Sequence, residues 1–260
     1  MKQSLSVAIA TYNEEKNLHA CLASVKTLAS EIVLVDGGSH DKTVDIAHLF
    51  GARVYRATNP QIFHINKQAA IDACTGDWIL QMDADERVPE VLGEEIMSRI
   101  SKEERDNEGK IINAYYIVRK NFFCGRWMKH GGMWPDAVIR LFRRGSGKFP
   151  CKSVHEQIEI NGAVGILKNP MEHFTYRTIA DYFRKADAYT SLTARFLAEK
   201  RVSKTAFTGF TYIALKPAET FFSLYIRHRA FLDGWQGFFW SLFSGLHHAQ
   251  AYMKYFTMKS

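Results

Sequence analysis

Trp78-Ile-Leu-Gln-Met-Asp83-Ala-Asp85-Glu86 sets the architecture of the chain. A bulky, mostly apolar run that ends in three carboxylates within four residues reads as a buried parallel strand. Its carboxyl end should open into a polar crevice, and such crevices are where open α/β sheets bind ligands. Asp-x-Asp at that position suggests a hard divalent cation with a phosphate beside it.

The sequence before this stretch repeats the same device. Ser6-Val-Ala-Ile-Ala-Thr11 is a short apolar run followed by Tyr12-Asn13-Glu14-Glu15, which reads as a helix start with Asn13 as its cap and acids in its first turn. Leu18, Leu22, Val25 and Leu28 continue at helical spacing. A second strand, Glu31 to Asp36, ends in Gly37-Gly38-Ser39-His40-Asp41, and Asp41 is expected to cap a helix through Phe50. Ala52 to Tyr55 then reads as a strand and Ile65 to Cys74 as a helix. Strand and helix alternating through about 85 residues indicate an α/β fold with a mainly parallel sheet and right-handed crossovers. The strand ends should meet on one edge, so Thr11, Asn13, Glu14, Asp36, Gly38, Ser39, Asp83 and Asp85 are expected to share one crevice.

After a helix from about Pro89 to Ser101 and a solvated loop, the alternation stops. Ala114–Arg119, Ala137–Phe142 and Val154–Ile160 read as strands among loops rich in Gly, Trp and Arg. One catalytic domain is therefore expected over 1–175, with a donor-binding part over 1–101 and an acceptor-binding part over 102–175, followed by a helical, aromatic-rich extension over 176–260. Ile179, Tyr182, Phe183, Ala186, Tyr189, Thr193, Phe196 and Leu197 mark an amphipathic helix in that extension. Gly234 to Met253 has no charged side chain, but its Gln, His, Gly and Ser make it a poor membrane span. Phe231, Trp235, Phe238, Phe239, Leu242 and Phe243 form a stripe that either packs on the protein or dips into a membrane surface.

The net charge of +7 is divided unevenly. Residues 1–100 carry 9 Lys/Arg against 14 Asp/Glu, and residues 101–260 carry 25 against 13. The basic half should therefore face something anionic. Cys21, Cys74, Cys124 and Cys151 are widely spaced with no Cys-x-x-Cys pair, which argues against a disulfide framework or zinc site. With no basic-then-apolar leader after Met1, a cytoplasmic location is expected, at the inner membrane surface if the aromatic stripe meets lipid. Arg140, Arg143 and Arg144 are candidates to hold phosphates.

Together, Val7-Ala-Ile-Ala-Thr-Tyr-Asn-Glu14, Val35-Asp36-Gly-Gly-Ser39 followed by Asp41-Lys-Thr, and Asp83-Ala-Asp85-Glu86 resemble the family 2 glycosyltransferases, which have the GT-A fold. Trp134-Pro-Asp136, Ile139-Arg-Leu-Phe-Arg143-Arg144, Val154-His155-Glu156 and the stretch from His173 to Tyr189 resemble the branch that includes lipopolysaccharide core glucosyltransferases. The resemblance implies that Thr11, Asn13 and Glu14 line a nucleotide pocket, with Ser39 in the same crevice, and that Asp36 accepts from a base, usually uracil. It implies Asp83 near the ribose and Asp85 holding Mg²⁺ or Mn²⁺ against the diphosphate. His155 is a candidate either to complete the metal shell, with Asp85 and Asp83, or to contact phosphate. Asn66-Lys67 lies where many members carry an Arg-Asn pair, with the arginine absent here, and Lys67 is the candidate donor contact.

Inverting transfer needs a carboxylate to take the acceptor proton. Glu156 is the first expectation, Asp136 the second and Glu86 the third. The implied partners are a UDP-sugar donor and an anionic glycolipid acceptor. A polyprenyl-phosphate acceptor would keep the same chemistry.

Other classes fit less well. A dehalogenase-like phosphatase needs its Asp-x-Asp on the first strand, and a nucleotidyltransferase needs a Gly-rich basic loop after that strand. A nucleic-acid-binding module leaves the acidic crevice unexplained, since carboxylates repel phosphates. No nucleic-acid partner is expected.

Overall fold

A computed structural model describes residues 3–60, 62–152 and 157–258. The chain divides into two compact units, one of residues 1–119 and 136–173, the other of residues 120–135 and 174–260.

The first unit opens with β1 (Leu5–Thr11), α1 (Glu15–Val25), β2 (Glu31–Asp36), α2 (Thr43–Leu49), β3 (Arg53–Arg56), α3 (His64–Asp72) and β4 (Trp78–Asp83). Then come β5 (Glu86–Arg87), α4 (Glu90–Ile100) and β6 (Ile112–Phe123), whose last residues run into the second unit with β7 (Arg126–Trp127). The chain returns through β8 (Asp136–Arg143), β9 (Gly147–Lys148), β10 (Glu159–Ile160), β11 (Ala163–Ile166) and β12 (Met171–Tyr176). The main sheet has the order β3-β2-β1-β4-β8-β6-β12-β5, with β11 on β6. Its first four strands are mutually parallel, and β8 lies antiparallel to both β4 and β6.

Side-chain alternation explains how the sheet is buried on both faces. Leu5, Val7, Ile9, Leu80 and Met82 pack with Leu18 and Leu22 of α1 and Leu92 and Ile96 of α4. The intervening Ala8, Val33, Val35 and Ile79 pack with Ala70 and Ile71 of α3 and with Phe142 of β8. Strands buried on both faces need continuous apolar sequence, as Ile32-Val-Leu-Val35 and Ile79-Leu80 supply.

Local differences from the expectation have physical causes. Asn13 has φ +54° and lies before Glu14, the residue that caps α1, so it is a left-handed turn residue. Of the expected strand over Val154–Ile160, only Glu159–Ile160 is strand, paired with β9; 154–156 lie outside the described residues. Residues 120–135, expected with the acceptor-binding part, belong to the second unit.

The second unit continues with α5 (Ile179–Glu199) and α6 (Ala206–Phe210). A π-helical turn (Thr211–Leu215), α7 (Lys216–Phe222), a second π turn (Ser223–Arg227), a 3₁₀ turn (Ala230–Asp233) and α8 (Gly234–Thr257) complete it. Thr178 caps α5 by accepting from the Asp181 N–H. The buried face of α5 is Tyr182, Thr190, Ala194 and Leu197, while Phe183 and Tyr189 are exposed, so the stripe is narrower than its sequence suggested. Phe239 and Phe243 of α8 pack against Phe123, Met128, Met133 and Tyr182 in an aromatic core. Among the described residues no helix is long and apolar enough to cross a membrane.

Candidate active site

Parallel register fixes the edge on which the site is built. Thr11 pairs with Asp36 and Ala10 with Asp83, so β1, β2 and β4 finish level with one another. The loop after β2 is tied by its own strand's last residue. Asp36 is buried, and its Oδ2 accepts from the Gly38 and Ser39 N–H groups at 3.0 and 2.9 Å. Its Oδ1 accepts from the Ser39 hydroxyl at 2.5 Å. Gly38 has φ +86°, a conformation suited to glycine. Asn13 laces the neighbouring loop to this one: its N–H donates to Ser39 Oγ at 2.8 Å and its Oδ1 accepts from the His40 N–H at 2.9 Å. The Glu14 N–H donates to Thr43 Oγ1 at 2.8 Å. Thr11, Asn13, Glu14, Asp36 and Ser39 thus form one laced rim, and the Asp36 carboxylate already shapes the turn.

Beside this rim lies a charge cluster. Because β8 is antiparallel to β4 with Leu141 opposite Leu80, Arg140 falls beside Gln81 and reaches toward Asp83. Its Nη2 donates to Asp83 Oδ2 at 2.7 Å and to Glu86 Oε1 at 2.6 Å, and its Nη1 donates to Gln81 Oε1. Lys67, on the buried face of α3, forms an ion pair with Asp83 Oδ1. Burial alone would raise the Asp83 carboxyl, but the Arg140 and Lys67 charges reverse that and hold it well below the usual carboxylate range. Arg140 remains charged for the same reason: Asp83 and Glu86 outweigh the cost of its burial.

Glu86 is fully buried, accepts from the Asp83 N–H at 2.9 Å, and also meets Arg119 at 3.4 Å. A carboxylate committed to two guanidiniums and an amide is a structural counter-ion, which removes Glu86 as a base. Asp136 is half-buried, and its Oδ2 accepts from Arg119 Nε and Nη2 at 3.0 and 2.8 Å.

Asp85 lies in the turn between β4 and β5. There β12 runs antiparallel to β5 with His173 opposite Glu86, which brings His173 Nε2 within 3.5 Å of Asp85 Oδ1. Both side chains are about nine-tenths buried. A carboxylate and an imidazole suit a divalent ion that takes its remaining ligands from water and a diphosphate. Among the described residues no three His, Cys, Asp or Glu side chains gather as a complete metal site.

Arg143 does not join this edge. It pairs with Trp78 at the opposite end of β4, its guanidinium 4.8 Å from the indole centroid. Five residue-to-residue steps along the strand, about 16 Å, separate Trp78 from Asp83. Arg144 donates to the Gly76 carbonyl at that same far end. His155 and Glu156 lie outside the described residues. His173, which opens one of the stretches that carry the resemblance, was given no site role from sequence; its place beside Asp85 follows only from the pairing of β12 with β5.

The family model "Glycosyl transferase family 2" matches residues 6–170. The chain is 26% identical over 246 residues to an uncharacterized glycosyltransferase of Rickettsia typhi, covering 91% of this chain and 81% of the relative. It is 27% identical over 243 residues to the lipopolysaccharide core biosynthesis glycosyltransferase LpsC of Rhizobium meliloti, covering 91% and 86%. A crystal structure of S. aureus TarS 1–349 in complex with UDP-GlcNAc aligns at TM-score 0.50 and 15% identity, over 95% of this chain and 81% of that one. The architecture is the mixed α/β, mostly parallel arrangement of the GT-A fold.

Proposed function

This chain belongs to glycosyl transferase family 2, and we propose that it moves a hexose from a UDP-sugar to a lipid-linked saccharide of the lipopolysaccharide inner-core type, at the cytoplasmic face of the inner membrane. The observation that carries the donor site is the level ending of β1, β2 and β4, which gathers Thr11, Asp36 and Asp83 on one edge with Asp85 just beyond. The nucleoside lies along the laced rim of Asn13, Glu14 and Ser39. Lys67 and Arg140 act from behind, holding the Asp83 carboxylate ionised and aimed toward the ribose. The choice of acceptor is supported by the likeness to LpsC and by the basic charge of residues 101–260.

Asp85 and His173 would hold Mg²⁺ or Mn²⁺, which when bound stabilises the negative charge that develops on the diphosphate. Transfer forms the bond between the acceptor oxygen and the anomeric carbon as the bond to the diphosphate breaks on the opposite face. The acceptor's proton passes to a carboxylate, and UDP leaves. Glu156 is our first assignment for that base. Asp136, oriented by Arg119, is the second.

The test is UDP release from a panel of UDP-hexoses, with truncated lipopolysaccharide or polyprenyl phosphate as acceptor. Release that requires truncated lipopolysaccharide and is lost in Glu156→Gln supports the reading. Turnover only with polyprenyl phosphate would move the acceptor to a bare lipid phosphate.

A further inference from the structure

The segment Ala206–Arg227 carries an apolar face that nothing in the donor site uses. It is helical throughout, 22 residues interrupted by its two π turns, and none of its side chains is buried. Its inner side rests on α8. Tyr212 stacks on Tyr252, Thr220 Oγ1 meets His248 Nε2 at 3.1 Å, and Gly245 comes so close to the Pro217 carbonyl that a Cβ there would lie 2.5 Å from the oxygen. On the other side Phe207, Phe210, Leu215, Phe222 and Ile226 are each about half or more exposed.

The π turns align these five residues. At about 100° per residue, an uninterrupted α-helix would spread them over about 160° of its circumference. Each i→i+5 turn absorbs roughly one extra residue. The phase shift swings Leu215, Phe222 and Ile226 back beside Phe207 and Phe210. A 3.6-residue periodicity hides this stripe in the sequence, and Ile213 is the one large exposed apolar residue of the segment outside it.

We propose that this π-interrupted helix docks on an anionic lipid surface, with its phenylalanines and leucine seated among the acyl chains and its arginines at the headgroups. The charge around it selects that occupant. Residues 200–229 carry six Lys/Arg and a single acid, Glu219. Arg227 and Arg229 are exposed at the end of the stripe, with no acidic partner among the described residues. A second copy of the chain would set these cations against one another, whereas an anionic bilayer satisfies the cations and the apolar face together. The inference rests on the glycolipid reading only in taking a membrane as the natural setting; the surface itself is independent of the donor site.

Vesicle flotation tests it, using the full chain with phosphatidylglycerol-containing vesicles and with phosphatidylcholine alone. The wild type should float with the anionic vesicles. Phe207→Ser/Phe210→Ser/Phe222→Ser should lower partitioning by about tenfold or more. Arg227→Gln/Arg229→Gln should lower it by about thirtyfold, from roughly 1 kcal/mol per basic side chain near such a surface. Both variants should keep the wild-type melting curve, and UDP binding is measured in solution on the same samples. Equal flotation of wild type and the phenylalanine variant, or no flotation of wild type, overturns the proposal. So does a wild-type dimer by light scattering that the phenylalanine variant dissolves, which would assign the face to a second copy. Absent UDP binding with intact flotation would refute the donor site and leave the docking face standing.

Discussion

Replacing Arg140 by methionine tests whether the buried cluster holds the site together. Arg140 is 6% exposed and bridges Asp83, Glu86 and Gln81, and Glu86 has no exposure at all. Removing one partner of a buried pair typically costs about 3–5 kcal/mol, because the other charge is left uncompensated. Two cations remain, Arg119 at 3.4 Å from Glu86 and Lys67 on Asp83, which places the expected loss near the lower figure. A loss of about 3 kcal/mol corresponds to a drop of roughly 6–12 °C in Tm for a body of this size.

The pH dependence has a definite sign. The folded Asp83 carboxyl titrates below its unfolded value, so its stabilisation is complete above about pH 4 and disappears as pH falls through the folded value. Arg140→Met moves the folded value back toward the unfolded one. The wild type's advantage should therefore be full at neutral pH and shrink below about pH 4. Thermal and urea melts of wild type, Arg140→Met, Glu86→Met and the double variant would measure this. The double variant should recover part of the loss, since it leaves no uncompensated Glu86. An Arg140→Met protein melting within about 1 °C of wild type at neutral pH, well short of the drop expected from its lost pairing, would show that the cluster does not hold the site together.

Gly245→Ala should destabilise the α7–α8 packing by about 1–3 kcal/mol, because the new methyl meets a backbone carbonyl that cannot rotate away; calorimetry checks it, and an unchanged melt would contradict the close approach. Asn13→Ala should cost about 1–2 kcal/mol for the left-handed backbone, more than Asn13→Gly, which keeps that conformation and loses only the bond to the His40 amide; the order of the two midpoints is the readout. His247 and His248 are held below the ordinary histidine value, by burial first and then by neighbouring positive charge. Their contribution to stability should be present above about pH 6.5 and decline as pH falls below it, and His247→Asn/His248→Asn should flatten that decline in a series of melts.

The strands were legible because two-sided burial demands uninterrupted apolar sequence, and Ile32 to Asp36 and Trp78 to Asp83 could meet that demand in no other way. The site edge followed from where those runs ended. What occupied the carboxylates did not follow, because partners in space are set by register: Arg140 reaches Asp83 only because Leu141 stands opposite Leu80. The same register carried Arg143 to the far end of the strand, although it is three residues from Arg140 in sequence. His173 arrived beside Asp85 through pairing between β12 and a two-residue strand too short to announce itself. In the C-terminal half, Phe239 and Phe243 of the expected stripe join a core while Phe231, Trp235 and Phe238 stay exposed, and the apolar face of residues 206–227 was out of phase until two π turns restored it.

We propose a metal-assisted nucleotide site at the ends of β1, β2 and β4. The decisive measurement is calorimetric titration of the full chain with UDP, GDP and ADP, each with and without Mn²⁺, repeated on Asp85→Ala. UDP should bind, Mn²⁺ should tighten it, and Asp85→Ala should abolish the effect of the metal while leaving the fold intact. Failure of every nucleotide to bind, or an Asp85→Ala protein with the wild type's Mn²⁺ dependence, would contradict the proposed site.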